Sequence, residues 1–239
     1  MRFILGLIAL VGALLAGPAF AQTAALVDPH AADRAPVASP TDPQNLLYLD
    51  LSTGGHVVIW LRPDVAPKMV ERIKTLVRQH FYDGLTFHRV IAGFMAQTGD
   101  PKGDGTGGSS LPDVPAEFNY LPHVRGAVAA ARSSAPEHAD AATEKKAEDS
   151  ANSQFFIMFQ PHMTLDKKYT VFGRVISGMQ YVDMIHVGEP PADPSRILHA
   201  YIAADNPPPY QPQAAPAPAP DLGAPVTLPG TAPAAPAGQ

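Results

Sequence analysis

One stretch of the chain gathers residue types that could act together: Phe87-His88-Arg89-Val90-Ile91-Ala92-Gly93-Phe94-Met95-Ala96-Gln97. Arginine is a permanently charged donor that cannot accept a hydrogen bond. Set among aromatics, a methionine and an amide, Arg89 could stabilise an electron pair that develops during a reaction, while its neighbours hold an apolar group in a dry cleft. Patterns for other chemistry fail. H-E-x-x-H, G-x-S-x-G and G-x-x-x-x-G-K are absent, which removes zinc-peptidase, serine-hydrolase and P-loop readings. The nine histidines show no metal-ligand spacing and read as surface or capping residues. Gly103-Asp104-Gly105-Thr106-Gly107-Gly108 fits G-x-G-x-x-G, but Pro112 and Pro115 follow it and forbid the phosphate-binding helix. A calcium loop starting at Asp100 fails because Lys102 sits where an oxygen ligand belongs. Taken singly, Arg89 also reads as a surface ion-pair former, the apolar residues as core, and Gln97 as a solvated strand residue.

The elements that must position these residues are mostly strands. Leu47–Ser52 and His56–Leu61 flank a Thr53-Gly54-Gly55 turn, which predicts a hairpin. Pro67 opens a helix running to about His80, with Val70, Ile73, Leu76 and Val77 on its buried stripe. Tyr82-Asp83-Gly84 turns the chain into a strand from Leu85. Five glycines between Thr98 and Ser110 require a loop with unusual backbone angles. Further strands are predicted at 127–131, 153–159, 170–175 and 197–203, with a short helix near 178–186. The pattern suggests a closed antiparallel barrel with helices at its ends, since closure removes exposed strand edges.

The folded part is shorter than the 239-residue chain, whose 27 prolines are concentrated at its end. Residues 1–21 combine a basic start, an apolar run too short to span a bilayer and an A-x-A pattern ending at Ala21, the marks of a cleaved signal peptide. We therefore expect an exported protein, periplasmic or secreted, with no membrane span after cleavage. Residues 22–44 read as a disordered leader, 45–205 as the domain, 134–150 as a polar insertion within it, and 206–239 as a disordered Pro/Ala-rich tail. The absence of cysteine excludes disulfides and thiolate metal sites, and a net charge of −5 argues against nucleic acid as a partner.

The segment Tyr82–Pro101 closely resembles the signature of cyclophilin-type peptidyl-prolyl cis-trans isomerases. Two more blocks agree in order and spacing: Asn152-Ser153-Gln154-Phe155-Phe156-Ile157, and Leu165–Met179 around Tyr169-Thr170-Val171-Phe172-Gly173. The likeness spans roughly residues 45–205. It implies a mainly β fold, an eight-stranded antiparallel β-barrel capped by two α-helices, with the active site outside the barrel. It implies Arg89 as the catalytic residue and a substrate-binding set of Phe94, Met95, Gln97, Ala131, Arg132, Phe156, Leu165 and Tyr169. Partners would be proline-containing unfolded or extended polypeptides, with the protein a monomer and no metal or cofactor. Arg132 stands where many members carry an asparagine, Thr164 where many carry a tryptophan, and Tyr169 where a histidine is frequent. These departures bear on inhibitor binding and client choice and leave Arg89 untouched.

The residue types suit that reaction on physical grounds. Amide resonance sets a rotation barrier of about 18–20 kcal/mol. Uncatalysed X-Pro exchange takes tens to hundreds of seconds, so millisecond turnover needs roughly a 10⁵-fold gain, or about 7 kcal/mol. During rotation the prolyl nitrogen recovers a lone pair, which a donor can bond only in the transition state. Two other roles fit parts of the chain: a chaperone or peptide-binding module using the same groove without turnover, and an interaction protein working through its Pro-rich tail.

Overall fold

The computed structural model describes residues 36–206. The expected signal peptide, the tail beyond Asn206 and most of the leader lie outside the described residues.

Eight strands form one antiparallel sheet: β1 (Leu46–Leu51), β2 (Gly55–Leu61), β3 (Arg89–Ile91), β4 (Met95–Thr98), β5 (Ala127–Ala130), β6 (Phe155–Met158), β7 (Val171–Ser177) and β8 (Ile197–Ile202). Their spatial order is β3-β4-β6-β5-β7-β2-β1-β8. The sheet curls around a core that includes Leu49, Ile59, Ile73, Phe87, Phe155 and Phe172, all at most 1% exposed. Three helices accompany it: α1 (Pro67–Arg78), α2 (Ala141–Glu148) and α3 (Met179–Asp183).

Two expectations about the strands are corrected here. The barrel is not fully closed: β3 and β8 are the ends of the sheet order and do not pair as strands. Only the isolated bridge Thr86↔Arg196 and flanking backbone bonds, such as Phe87 N–H to Ser195 O at 2.9 Å, stitch the gap. The outer edge of β3 is taken instead by Gly188, whose N–H and C=O exchange bonds of 2.9 and 2.8 Å with Val90. Secondly, the strand expected from Leu85 is two strands, because Ala92-Gly93-Phe94 turns the chain back with Gly93 at φ +70°.

α1 buries Met69, Val70, Ile73, Leu76 and Val77, one residue more than the periodicity shows. Ala66 offers no side-chain cap, and the carboxylate of Glu117 replaces it, accepting the N–H groups of Lys68 (3.0 Å) and Met69 (2.9 Å). The helix stops at Arg78 rather than His80, which adopts φ +55° just beyond the Gln79 cap. Within the insertion, α2 is a third helix beyond the expected two. Asp140 caps it by accepting the Thr143 N–H at 2.8 Å, and Lys145 pairs with Asp149 one turn on.

Candidate active site

Strand parity sets the site on the outside of the curled sheet. β5 and β6 are buried along their whole length, because both faces are covered. Val128, Ala130, Phe155 and Ile157 point into the main core, while Ala127, Ala129, Phe156 and Met158 join Met95 and Val171 in a second, outer apolar cluster. In the β3–β4 hairpin, Val90 and Ala96 face the core, and the registers Arg89↔Gln97 and Gln97↔Phe156 run a row of side chains across the outer face.

All nine residues singled out from the sequence line one cavity of about 290 Å³ on that face. Arg89 and Gln97 stand beside Ala131 and Arg132; Phe94, Met95, Phe156, Leu165 and Tyr169 supply its apolar wall. Ser134, where the insertion begins, lines it too. Tyr169 meets Phe156 edge-on at 5.7 Å between centroids, and the Arg132 guanidinium lies 4.8 Å over the Tyr169 ring. Arg132 is fixed there by donating from Nε to the Lys168 carbonyl at 3.0 Å.

Three supporting residues escaped the sequence reading because their partners are remote along the chain. Glu189 accepts a 2.7 Å hydrogen bond from Arg89 Nε. Among the described residues no other group bonds this guanidinium, so its terminal nitrogens are available to the cavity. His123, fully buried, stacks 6.2 Å from Phe156 and lies 2.8 Å by Nδ1 from Asp166. Burial raises the Asp166 carboxyl, but the bonds from the His123 backbone and ring outweigh it and hold the group below its ordinary value. Gln154 accepts from Gln97 Nε2 at 2.8 Å and donates to the carbonyls of Gly105 (3.0 Å) and Gly107 (2.7 Å), tying the glycine loop to the cavity. A second depression of about 420 Å³ continues the groove along that loop, sharing Gln97, Ala131 and Arg132.

His88, next to Arg89 in sequence, departs from the surface or capping role expected of the histidines: it is 5% exposed, and neither ring nitrogen has a hydrogen-bond partner. Burial holds its imidazole below the ordinary value and so favours the neutral ring.

Asp100 organises the glycine loop. It is 1% exposed; Oδ1 accepts the Lys102 N–H (2.8 Å) and Oδ2 those of Asp104 (3.1 Å) and Gly105 (2.6 Å). A Cβ at Gly107 would lie 2.0 Å from Asp100 Oδ1, so the loop can wrap this carboxylate only as glycine. Asp100→Asn keeps the shape but turns an NH₂ toward backbone donors. We expect a loss of about 2–3 kcal/mol, read as a lower denaturant midpoint at unchanged slope.

Residues 48–202 match the model of the family described as cyclophilin type peptidyl-prolyl cis-trans isomerase/CLD. A probable peptidyl-prolyl cis-trans isomerase of Brucella suis is 48% identical over 184 residues, which cover 70% of this chain and 87% of that one. Peptidyl-prolyl cis-trans isomerase B of Bacillus subtilis is 37% identical over 142 residues, covering 59% and 91% of the two chains. Among solved structures, a cyclophilin of Hirschia baltica aligns with TM-score 0.59 at 28% identity over 69% of this chain and 76% of that one. A Cryptosporidium parvum cyclophilin-type isomerase, solved in the presence of the dipeptide Ala-Pro, aligns with TM-score 0.57 at 25% identity over 66% and 98%.

Proposed function

This chain belongs to the cyclophilin-type peptidyl-prolyl cis-trans isomerase family, and from that premise we propose that it accelerates X-Pro isomerisation in exported polypeptides, with Arg89 donating to the prolyl nitrogen. The observation that carries the reading is the register pair Arg89↔Gln97 at the rim of the apolar cavity walled by Phe94, Met95, Phe156, Leu165 and Tyr169. The proline ring enters that wall and is held while the peptide turns. Gln97 bonds the flanking backbone. As the amide twists, the nitrogen pyramidalises and its lone pair accepts from a terminal N–H of Arg89, an interaction absent in either planar ground state. One preorganised donor of this kind contributes about 3–4 kcal/mol. The dry cavity and fixed backbone supply the remainder. No bond is made or broken except the hydrogen bonds.

Export is supported by the sequence of residues 1–21 and leads us to expect a folding helper in the periplasm or outside the cell. The test is cis-trans exchange of a short X-Pro peptide, measured with the parent chain and with Arg89→Ala. Matching rates would overturn the role of Arg89. Loss of exchange together with retained suppression of client aggregation would show that the groove also serves as a binding module.

Glu189 is a positioning residue in this scheme. Its ion pair with Arg89 is exposed, with the two side chains 42% and 51% accessible, so it contributes about 0–1 kcal/mol. Glu189→Ala should lower kcat about two- to fivefold with KM unchanged, and Glu189→Gln, which can still accept from Nε, should restore most of it. A purely electrostatic role predicts no such rescue.

A further inference from the structure

His80 and Asp83 stand three residues apart just beyond α1, and the fold brings His199, remote along the chain in the middle of β8, against them. Their three ligand atoms lie within 4.8 Å of one another. His80 Nδ1 is 3.1 Å and His199 Nδ1 2.9 Å from the same oxygen, Asp83 Oδ2. Ligand bonds of about 2.0–2.2 Å put neighbouring donors about 3 Å apart at a right angle and about 3.4 Å apart at zinc's tetrahedral angle, so two of the three edges already approach a coordinating size. We propose that His80, Asp83 and His199 form a surface site for a divalent transition-metal ion of the zinc, nickel or copper type, with water completing the shell.

Each donor is oriented by its surroundings. Asp83 Oδ1 accepts the Ala200 N–H at 2.9 Å, which fixes the carboxylate and leaves Oδ2 as the ligand oxygen. The His199 ring is stacked between His80, at 5.7 Å and 18°, and Tyr201, at 5.4 Å and 27°. His80 holds a left-handed backbone at a helix end where glycine is the favoured residue, so its side chain is present at a conformational cost. Two imidazoles and one carboxylate are the donor set such ions prefer, whereas calcium and magnesium call for oxygen.

A second observation points the same way. Asp50, the strand partner of His199 on β1, is 3% exposed, and its Oδ2 has no hydrogen-bond partner. Its other oxygen lies 3.4 Å from His56 Nδ1. A buried carboxylate oxygen without a donor must either bind a proton or face a cation, and the cluster sets a cation site beside it. The nearby Arg78 does not oppose this, since Asp205 engages its guanidinium with bonds of 3.0 and 3.2 Å. The depression over the cluster, about 520 Å³, is open enough to admit a hydrated ion.

The test is calorimetric titration of Zn²⁺ into the full chain carrying no affinity tag, with the parent, His80→Gly and His199→Asn. One stoichiometric site is expected in the parent, weakened at least about tenfold in each variant, with a zinc-dependent rise in melting temperature seen only in the parent. Glycine suits the left-handed position of His80, so that variant stays folded and its loss of binding cannot be ascribed to unfolding. Absence of saturable binding would overturn the proposal. So would equal affinity in His80→Gly, which would mean that the ion is held by other histidines.

Discussion

Replacing Arg89 with alanine should lower kcat for X-Pro exchange about 10²- to 10³-fold while leaving KM within a small factor of the parent value. The magnitude is that of removing one preorganised donor, about 2.7–4 kcal/mol of transition-state stabilisation. The split between the two constants follows from geometry. The apolar wall proposed to receive the proline ring comes from Phe94, β4, β6 and the segment around Leu165–Tyr169, none of which depends on the guanidinium. Folding should survive, because the side chain is 42% exposed and its one ion pair is with a solvated Glu189. Lysine at the same position should recover only part of the rate. In the proposed scheme a single ammonium could reach Glu189 or the substrate, whereas the guanidinium bonds Glu189 through Nε and leaves its terminal nitrogens unbonded among the described residues. A peptide-exchange assay by NMR separates these outcomes, and a parent-like rate for the alanine variant would remove Arg89 from the mechanism.

The second large effect contrasts two neighbours. Phe155→Ala should cost about 3–5 kcal/mol of stability, since Phe155 is 1% exposed and packs edge-on against Tyr82 at 5.6 Å and Phe172 at 6.1 Å in the main core. Against a total of about 5–15 kcal/mol, that is a large share of the chain's stability. Phe156→Ala removes a ring of the same size from the opposite face, where it abuts Tyr169 and the cavity. Its main expected effect is a loss of about 2 kcal/mol of proline burial, roughly thirtyfold in kcat/KM, with a smaller change in melting temperature. Melting curves and kinetics on the pair test the parity assignment directly. Equal destabilisation with equal catalytic loss would contradict it.

That parity could not be read from the sequence. Phe155-Phe156-Ile157-Met158 is apolar throughout, and a strand covered on both faces shows no alternation to say which side is which. The hairpin β1–β2 and helix α1 were legible because turn glycines, Pro67 and a helical stripe announce them locally. Cavity residues such as Arg89, Phe94, Met95 and Gln97 were legible through a contiguous family motif. Glu189, His123 and Asp166 were not, since each acts through a partner brought close only by the closed-up fold. The incomplete barrel was missed for a related reason: whether a short strand such as Arg89–Ile91 meets its neighbour depends on which distant segment occupies its edge, here Gly188.

The same occupancy has a bearing on how a client is held. An enzyme that handles unfolded chains offers every client a chance to add itself as an extra strand, the route by which exposed edges seed aggregation. Gly188 covers β3 at Val90, and the bonds joining Leu85 and Phe87 to Ile197 and Ser195 cover β8 at its start. At these points a passing polypeptide finds the backbone already paired, and a side-chain cavity lies beside it. Under the proposed function, such a surface would grip proline transiently and let the chain leave, as turnover on aggregation-prone clients demands.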